Sequence, residues 1–283
     1  MATASPQASV GEMLRIWRGR RRLSQLELAL DAGISARHLS FVETGRSQPG
    51  RDVLLRVVDH LQIPLRERNR LLLAAGYAPA FPERSLEDRE LAPVRDALDR
   101  ILTAHEPYPA MVIDRGWDVV ASNSAIEVLA GWIDEDLLEP PVNALEVGFH
   151  PRGLAPWVVN LAEVRAYFLE RIERQIAIGP DERLVELREM VATSPSPDLP
   201  RLAPGEAAAR EILTPLRFRT PDGPELSFLG TVANFGLAGE VTTSELSIEL
   251  LFPADRTTAE FFEGVAREGP APTPATQGGN GDE

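Results

Sequence analysis

The stretch SQLELALDAGISARHLSFVETG, residues 24–45, decides the fold of the N-terminal part of this chain. Ser24 and Glu27 have the S-x-x-E spacing of a capping box, in which each side chain accepts a hydrogen bond from the other residue's backbone N–H. This spacing predicts a short helix over residues 25–31, which ends at Gly33.

A second short helix is predicted directly after this turn. Ser35 is its N-cap, residues 36–42 have helical spacing, and Leu39 and Val42 face inward. Two short helices joined by a tight glycine turn form a plain αα-hairpin in many proteins. In others they form the helix-turn-helix, whose second helix enters the major groove of DNA. The spacing of this stretch alone leaves both interpretations open.

The flanking sequence favours the DNA-binding interpretation. Apolar residues recur at helical spacing before and after the hairpin, and the helix before it has a basic end. A last helix is predicted over residues 65–75 and ends at Gly76, which completes a bundle of five helices. The apolar residues are Met13, Leu14 and Trp17 upstream and Leu54, Val57, Val58 and Leu61 downstream.

On these motifs, residues 9–76 resemble the Xre/lambda-repressor helix-turn-helix family. The resemblance rests on the quoted stretch, on the E-x-G sequence of Glu43, Thr44 and Gly45, and on the helix that follows. It implies an all-α domain that binds a double-stranded DNA operator as a homodimer. It also implies a structural ion pair between Arg18 and Glu43, which ties the first helix to the end of the recognition helix.

The resemblance also assigns the DNA-binding residues. Arg37 can form two hydrogen bonds to guanine, Ser40 can reach a base or a phosphate, and Phe41 can contact a thymine methyl group, as can Ala36. Because the family often has a polar residue in place of Phe41, this side chain either wedges against bases or is covered by another domain in the free protein. The predicted set is Gln25, Ser35, Ala36, Arg37, Ser40, Phe41, Thr44 and Arg46, of which Gln25, Thr44 and Arg46 contact phosphates.

The charged residues are segregated along the chain. Residues 1–76 contain 12 arginines and 7 acidic residues, a net charge of +5, whereas residues 77–283 carry −19 of the total of −14. This distribution confines attraction for phosphate to one end of the protein, although an acidic surface also simply aids solubility. The arginine run at residues 20–22 is either a solvated face or a phosphate contact.

Composition limits the class of protein. A chain of 283 residues is predicted to hold about two domains, and its 43% hydrophobic residues suffice for ordinary cores. No apolar run reaches the roughly 18 residues that a membrane span needs, and the N-terminal residues do not have the pattern of a secretory signal. The absence of cysteine excludes disulfides and thiolate chemistry, and it fits a cytoplasmic protein without membrane insertion.

No catalytic or metal-binding pattern stands out in the sequence. The histidines at positions 38, 60, 105 and 150 are scattered without metal-ligand spacing. No G-x-S-x-G elbow, P-loop or G-x-G-x-x-G sequence occurs. The sequence therefore predicts a protein that is not an enzyme and that has no metal site and no cofactor.

The second half of the chain has a different pattern. A Pro-rich segment at residues 77–85 ends the first domain, and the helix predicted over residues 86–104 is an interdomain strut, a dimer helix or a core helix. PAMVID and WDVVASN, joined by Arg115 and Gly116, predict a β-hairpin, and helical segments follow it. Three more strands are predicted at residues 212–219, 225–234 and 246–252.

This order of elements predicts an α+β chain, in which the five-helix domain precedes an antiparallel five-stranded sheet with helices in the order of a PAS fold. The second half thereby resembles the ligand-binding domain of MmyB-like transcription regulators, on the blocks LSFVETGRSQP, LRERNRLLLAAGYAP and PAMVIDRGWDVVASN. The predicted organisation is a disordered tail at 1–8, the helix-turn-helix domain at 9–80, a linker helix at 81–105, the PAS-like domain at 106–262 and a disordered tail at 263–283.

A PAS-like domain can enclose an apolar pocket between its curved sheet and its helices. The resemblance implies a small, largely apolar effector such as a fatty acid, although the same side chains can simply fill the core. An effector carboxylate would be bound by His150, Arg152 and Arg217. The aromatic residues predicted to line the pocket are Trp117, Trp132, Trp157, Tyr167, Phe168 and Phe228.

Two functional hypotheses follow from the sequence. In the first, the chain is a transcription regulator whose N-terminal domain binds an operator and whose C-terminal domain binds a small effector. In the second, the N-terminal domain still binds DNA, but the PAS-like domain has a filled core and serves only for dimerisation or partner docking.

Overall fold

The computed structural model describes residues 9–179, 181–195, 215–221, 223–236 and 238–268. The tail predicted at residues 1–8 and the part of the predicted C-terminal tail after residue 268 lie outside them. The chain divides into two compact units, which are Met1–Ala92 with Phe235–Glu245, and Pro93–Asn234 with Leu246–Glu283.

The first unit contains the five consecutive helices that the sequence predicted. They are α1 (Val10–Arg20), α2 (Gln25–Asp31), α3 (Ala36–Glu43), α4 (Arg51–His60) and α5 (Leu65–Ala74). Each helix contributes a leucine that is at most 1% exposed to one common core, namely Leu14, Leu28, Leu39, Leu54 and Leu71. The predicted all-α bundle is therefore confirmed.

The local signals of the helix-turn-helix are satisfied in the structure. The Ser24 hydroxyl accepts a hydrogen bond from the Glu27 N–H at 3.2 Å, and the Glu27 carboxylate accepts one from the Ser24 N–H at 2.7 Å. Gly33 has a φ of +66°, a conformation that favours glycine. The Ser35 hydroxyl caps α3 by accepting a hydrogen bond from the His38 N–H at 3.1 Å. The predicted capping box, glycine turn and second N-cap are all present.

Helix α1 passes very close to the C-terminal end of α3. A Cβ atom added at Gly11 would lie 2.2 Å from the carbonyl oxygen of Val42 and 2.9 Å from that of Glu43. These are backbone atoms, which cannot turn aside as the end of a flexible side chain can. The position of α3 in the bundle therefore depends on the missing side chain at residue 11.

The second unit is built on a five-stranded antiparallel sheet. Its strands are β1 (Ala110–Ile113), β2 (Val119–Ser122), β3 (Leu216–Arg219), β4 (Glu225–Ala233) and β5 (Ser247–Pro253), in the order β2-β1-β5-β4-β3. The predicted antiparallel five-stranded sheet is therefore confirmed, with two strands before residue 123 and three after residue 215. The first residues of the predicted third strand, 212–214, lie outside the described part of the chain.

The described part of the chain after Leu91 also forms α-helices before, between and after the strands. They are α6 (Ala92–His105), α7 (Ile126–Ala130), α8 (Ala144–Phe149), α9 (Leu161–Ile178), α10 (Glu182–Thr193), α11 (Val241–Glu245) and α12 (Arg256–Glu268). Helix α6 begins at the last residue of the first unit, and α11, between β4 and β5 in sequence, belongs to the first unit. Within the described residues, no helix is both long enough and apolar enough to cross a membrane.

Two predicted boundaries differ from the structure. Helix α6 begins at Ala92 rather than at residue 86, because Pro93 lacks a backbone N–H and fits only the first turn of a helix. The domain boundary predicted at residue 262 falls inside α12. This helix continues to Glu268 because Phe262 packs into the core of the second unit.

We expect Gly11→Ala to destabilise the first unit by about 1 to 3 kcal/mol, the usual cost of overpacking a core, because the new methyl group meets two backbone carbonyls. Gly19→Ala in the same helix is the matched control, since a Cβ atom there has no neighbour within 4 Å and alanine favours a helix. Chemical denaturation followed by circular dichroism measures both. Equal stabilities of the two variants would contradict the close approach of α1 to α3.

Candidate functional site

A buried carboxylate fixes the helix that the sequence assigned to DNA recognition. Glu43, at the end of α3, has a side chain only 1% exposed. It accepts two hydrogen bonds from Arg18, from Nε to Oε1 at 2.7 Å and from Nη2 to Oε2 at 2.8 Å, and a third from the Gln25 amide at 2.7 Å. One side chain therefore joins α1, the start of α2 and the end of α3. The ion pair implied by the family resemblance is present.

This arrangement gives the side chain of Gln25 a partner inside the protein. The sequence assigned Gln25 to a phosphate contact, whereas the structure directs one amide N–H to Glu43. A phosphate contact by Gln25 stays a prediction, and it would use another group of this residue.

The surroundings of Glu43 favour its ionised form. Burial raises the pKa of the carboxyl group, but hydrogen bonds from Arg18 and Gln25 and the charges of Arg18 and Arg15 lower the pKa by more, so that the net pKa lies below its ordinary value. The carboxylate is therefore charged at neutral pH, and the ion pair that positions α3 is complete.

Two guanidinium groups lie around one aromatic ring on the exposed side of α3 and in the turn that follows this helix. Leu39 and Val42 are buried, whereas Phe41 is partly exposed and Arg37 and Arg46 are exposed. The Cζ atoms of Arg37 and Arg46 lie 5.2 Å and 6.0 Å from the centroid of the Phe41 ring. At exposed sites each such cation–π contact is worth about 0.5 to 1 kcal/mol. Phe41 therefore serves as a platform that restricts the positions of both arginines.

The remaining residues of the predicted DNA-binding set also lie at the ends or on the surface of α3. The Ser35 hydroxyl is the N-cap of the helix, and the Thr44 hydroxyl donates a hydrogen bond to the Ser40 carbonyl at 2.7 Å near its C-terminus. Ala36 and Ser40 are partly exposed. The structure brings these residues together on one helix, and their contacts with DNA stay predictions.

The arginine run before α2 has structural partners. Arg21 donates hydrogen bonds from Nε to the Leu61 carbonyl at 2.8 Å and from Nη2 to the Gln62 carbonyl at 2.9 Å, both at the C-terminal end of α4. The Cζ atom of Arg20 lies 4.8 Å from the centroid of the Trp17 ring. These contacts bind the run to the bundle itself.

The second unit contains an apolar cavity of about 360 Å³ next to the edge strand β3. Residues 157–159 run along this strand, with hydrogen bonds of 2.8 Å from the Val159 N–H to the Arg217 carbonyl and from the Arg219 N–H to the Trp157 carbonyl. The cavity is lined by nine apolar residues and one charged residue, Arg219. The apolar residues are Phe149, Pro151, Ala155, Pro156, Trp157, Val158, Val159, Leu161 and Pro195.

The aromatic residues predicted to line a pocket have separate positions in the second unit. Trp157 lines the cavity, and its indole N–H donates a hydrogen bond to the Trp132 carbonyl at 3.1 Å. Trp117 and Phe228 are buried in the core at 1% and 0% exposure, Phe168 contacts Trp117 edge to face, and Tyr167 is 44% exposed. Apart from Trp157, none of the six belongs to the lining of the described cavity, and their contacts with an effector stay predictions.

The basic residues predicted to bind an effector carboxylate have partners within the protein. Arg152 forms ion pairs with Asp134 at 3.1 Å and Asp136 at 2.7 Å, and the His150 Nδ1 accepts a hydrogen bond from the Arg152 N–H at 3.1 Å. Arg217 forms an ion pair with Glu225 at 2.6 Å.

Of the ten residues that line the cavity, the sequence predicted only Trp157, and Arg219 is the charged residue among the nine others. It lies two residues after Arg217 on β3, and residues two apart on a strand share one face of the sheet. Strand alternation is therefore the signal that could have found it. Within the described ranges, no group of three or more histidine and acidic side chains could bind a metal ion.

We expect Glu43→Gln to destabilise the first unit by about 3 kcal/mol at neutral pH, because it breaks a buried ion pair. The folded-state pKa of Glu43 lies below the unfolded-state value of about 4.5, so its contribution is fully present above that pH and is lost as the pH falls through the folded-state pKa. Glu260→Gln, in an exposed pair with Arg256, is the control.

Denaturation curves between about pH 7 and pH 3 measure this contribution. Glu43→Gln should have a weaker acid dependence than the parent protein, whereas Glu260→Gln should follow the parent. The same acid dependence in all three proteins would rule out the role assigned to Glu43.

Comparison with known proteins agrees with this geometry. Residues 94–263 match the MmyB-like transcription regulator ligand binding domain, and residues 9–71 match a helix-turn-helix domain. Similar curated proteins include uncharacterised HTH-type transcriptional regulators of Mycobacterium tuberculosis and Mycobacterium bovis. Each is 30% identical over 129 residues, which are 46% of this chain and 44% of the relative, so the chain spans less than half the length of these relatives.

Among solved structures, the clp gene regulator ClgR from Corynebacterium glutamicum is 23% identical, and the alignment covers 36% of this chain and 99% of that one with a TM-score of 0.22. A similarity at this level carries no argument about fold or function. The family assignment rests instead on the two domain matches, because the ligand-binding-domain match alone covers more than half of the chain. This chain belongs to the family of MmyB-like transcription regulators.

Proposed function

We propose that this DNA-binding transcription regulator reads its operator through α3 and is controlled by a small apolar effector, such as a fatty acid, that enters the cavity beside β3. The observation that carries the DNA-binding half is the exposed face of α3, where Phe41 lies between Arg37 and Arg46 while Glu43 anchors the opposite side. The effector half rests on the apolar cavity with Arg219 in its lining.

The chemistry of the α3 face suits both kinds of DNA contact. Arg37 is the second residue of α3, and its guanidinium can form two hydrogen bonds to guanine. Phe41 lies one turn later in the helix and can contact a thymine methyl group. Arg46 follows the helix, where it can bind a phosphate without reading sequence. We expect a homodimer to place two such helices on half-sites about one turn of DNA apart.

The cavity fits an apolar ligand with one acidic group. Its volume of about 360 Å³ lies within the range of small-molecule sites, and nine of its ten lining residues are apolar. Arg219 is exposed and has no side-chain partner among the described residues, unlike Arg152 and Arg217. A ligand carboxylate would therefore bind Arg219 without first displacing an aspartate or a glutamate of the described residues.

The second candidate function, a PAS-like domain used only for dimerisation or docking, is supported by the burial of two aromatic residues that were predicted to line a pocket. Trp117 and Phe228 are fully buried and belong to the core cluster of the second unit. Effector binding separates the two candidates, because a pure interaction module has no saturable site for an apolar acid.

We expect Arg37→Ala to lose about 1 to 3 kcal/mol of discrimination at one base pair, and Arg46→Ala to weaken binding to all duplexes alike and reduce the salt slope by about 1. A duplex selected from a random library with the parent protein supplies the operator, and fluorescence anisotropy at several salt concentrations measures affinity. Arg256→Ala in α12, where the arginine is 89% exposed, is the control and should leave binding unchanged. Identical effects of Arg37→Ala and Arg46→Ala would refute the division into base reader and phosphate contact.

We expect palmitate to bind the second unit more tightly than hexadecanol, because only palmitate offers a carboxylate to Arg219. Arg219→Gln should weaken palmitate binding about tenfold or more, the usual effect of losing a charged hydrogen bond, and leave hexadecanol binding unchanged. Arg217→Gln is the matched control, since Arg217 is already paired with Glu225. Calorimetric titration of the full chain measures both ligands, and the absence of saturable binding of either would favour the interaction-module function.

A further inference from the structure

The compact unit around the helix-turn-helix includes a segment that is distant in sequence. Residues 235–245 connect β4 to β5 inside the stretch that matches the ligand-binding domain, yet they belong to the first unit. Asn234 closes the base of this connection, because its Nδ2 donates hydrogen bonds to the Leu246 carbonyl at 2.8 Å and to the Ser247 hydroxyl at 3.1 Å. We call residues 238–245 the clasp.

The clasp is anchored by a buried carboxylate. Glu240, 8% exposed, accepts hydrogen bonds from the backbone N–H groups of Arg84 at 2.9 Å, Thr242 at 3.1 Å and Thr243 at 2.8 Å. The Thr243 hydroxyl donates a fourth, at 3.0 Å. The carboxylate thus organises the start of α11 and binds the backbone of Arg84 at the same time.

Backbone groups extend this contact. The Val241 N–H donates a hydrogen bond to the Pro82 carbonyl at 2.9 Å, and the Thr242 hydroxyl donates one to the Arg84 carbonyl at 2.6 Å. The Val241 side chain is completely buried. Residues 82–84 therefore form the surface on which the clasp docks.

An ion pair attaches the other end of the clasp to α5. Arg66 donates hydrogen bonds from Nε and Nη2 to the two carboxylate oxygens of Glu245, both at 2.8 Å, and also forms an ion pair with Glu83 at 2.7 Å. The side chains of Arg66 and Glu245 are only 28% and 17% exposed. A partly buried, bidentate pair of this kind is specific in geometry, in contrast to an ordinary surface ion pair.

The docking surface is itself joined firmly to α5. Asn69, a buried residue of α5, donates a hydrogen bond from Nδ2 to the Phe81 carbonyl at 2.7 Å and accepts hydrogen bonds from the N–H groups of Ala80 and Phe81 at 3.0 and 3.1 Å. A displacement of the clasp therefore acts on α5 both through Arg66 and through the segment that Asn69 fixes. Helix α5 in turn packs against α1, which carries the Arg18 partner of Glu43.

We propose that the clasp is an intramolecular partner of the DNA-binding unit, and that its docking through Glu240 and Glu245 sets the affinity of this unit for its operator. The inference rests on the proposed DNA binding by α3. Because the backbone connects the clasp to the paired strands β4 and β5, an effector that alters these strands can displace the clasp, and the Arg66–Glu245 ion pair links the clasp to α5. The effector must then favour one state of the clasp over the other, since equal affinity for both states shifts no equilibrium.

Two substitutions in the full-length chain test the docking. Glu240→Gln places an amide opposite backbone N–H groups, and Glu245→Gln removes the charge that faces Arg66. Glu260→Gln in α12 makes the same chemical change in an exposed pair and is the matched control. Hydrogen–deuterium exchange should be about fivefold faster in α5 and residues 80–84 of the two clasp variants, as expected for the loss of one stabilising hydrogen bond, and unchanged in β1–β5.

The same proteins are then titrated with the duplex selected by the parent protein. We expect about fivefold weaker binding by Glu240→Gln and Glu245→Gln, and parental affinity for Glu260→Gln. If hydrogen exchange of Glu240→Gln is also faster in β1–β5, the experiment uses the variant Thr242→Val instead. This near-isosteric change removes only the hydrogen bond from the Thr242 hydroxyl to the Arg84 carbonyl.

The outcomes separate the clasp from the proposed function. Control-like exchange in α5 overturns the docking, and faster exchange with operator affinity within twofold of the control overturns its effect on DNA binding. If the parent protein selects no duplex, the proposed DNA binding fails, and the dependent affinity claim fails with it. Exchange in α5 then still reports whether the clasp supports the first unit.

Discussion

The hydrogen-bonded ion pair of the buried Glu43 carboxylate is the interaction on which the surface proposed to bind DNA depends. An ionised group that is 1% exposed is unfavourable unless its oxygens are fully hydrogen-bonded, and here Arg18 and Gln25 supply the donors. These donors come from α1 and α2, so three helices are fixed by one side chain. The absence of a side chain at Gly11 lets α1 approach the same end of α3. The exposed face of α3 is consequently rigid relative to the bundle.

Arginine serves two purposes in this molecule, and the structure separates them. Every basic residue of the chain apart from histidine is arginine, whose planar guanidinium can bind a carboxylate through two hydrogen bonds or lie against an aromatic ring. Arg18 and Arg66 use the first geometry within the first unit. Arg37 and Arg46 use the second, on Phe41, and keep their hydrogen-bond donors exposed. Net charge by itself could not distinguish these groups.

Two places on the sheet bear on the proposed effector binding and on its proposed effect on the first unit. Residues 157–159 form backbone hydrogen bonds with the edge strand β3. Their side chains and that of Arg219 on this strand contribute to the lining of the cavity. At β4 and β5 the chain leaves the sheet, docks on the first unit as the clasp and returns. An antiparallel pair needs only a short turn, so a connection that contributes buried contacts elsewhere indicates a role beyond closing the sheet.

The sequence by itself determined the local structure. The capping box at Ser24, the glycine turn at Gly33 and the alternation of apolar residues depend on neighbours only a few positions apart, and they predicted the five helices and the five strands along the chain. Only the tertiary structure decided which arginines are already paired, that Gln25 binds Glu43, that Arg219 rather than Arg217 lines the cavity, and that Glu240 docks on Arg84. These contacts join residues far apart in sequence, and their spacing follows from the path of the folded backbone, which local patterns do not encode.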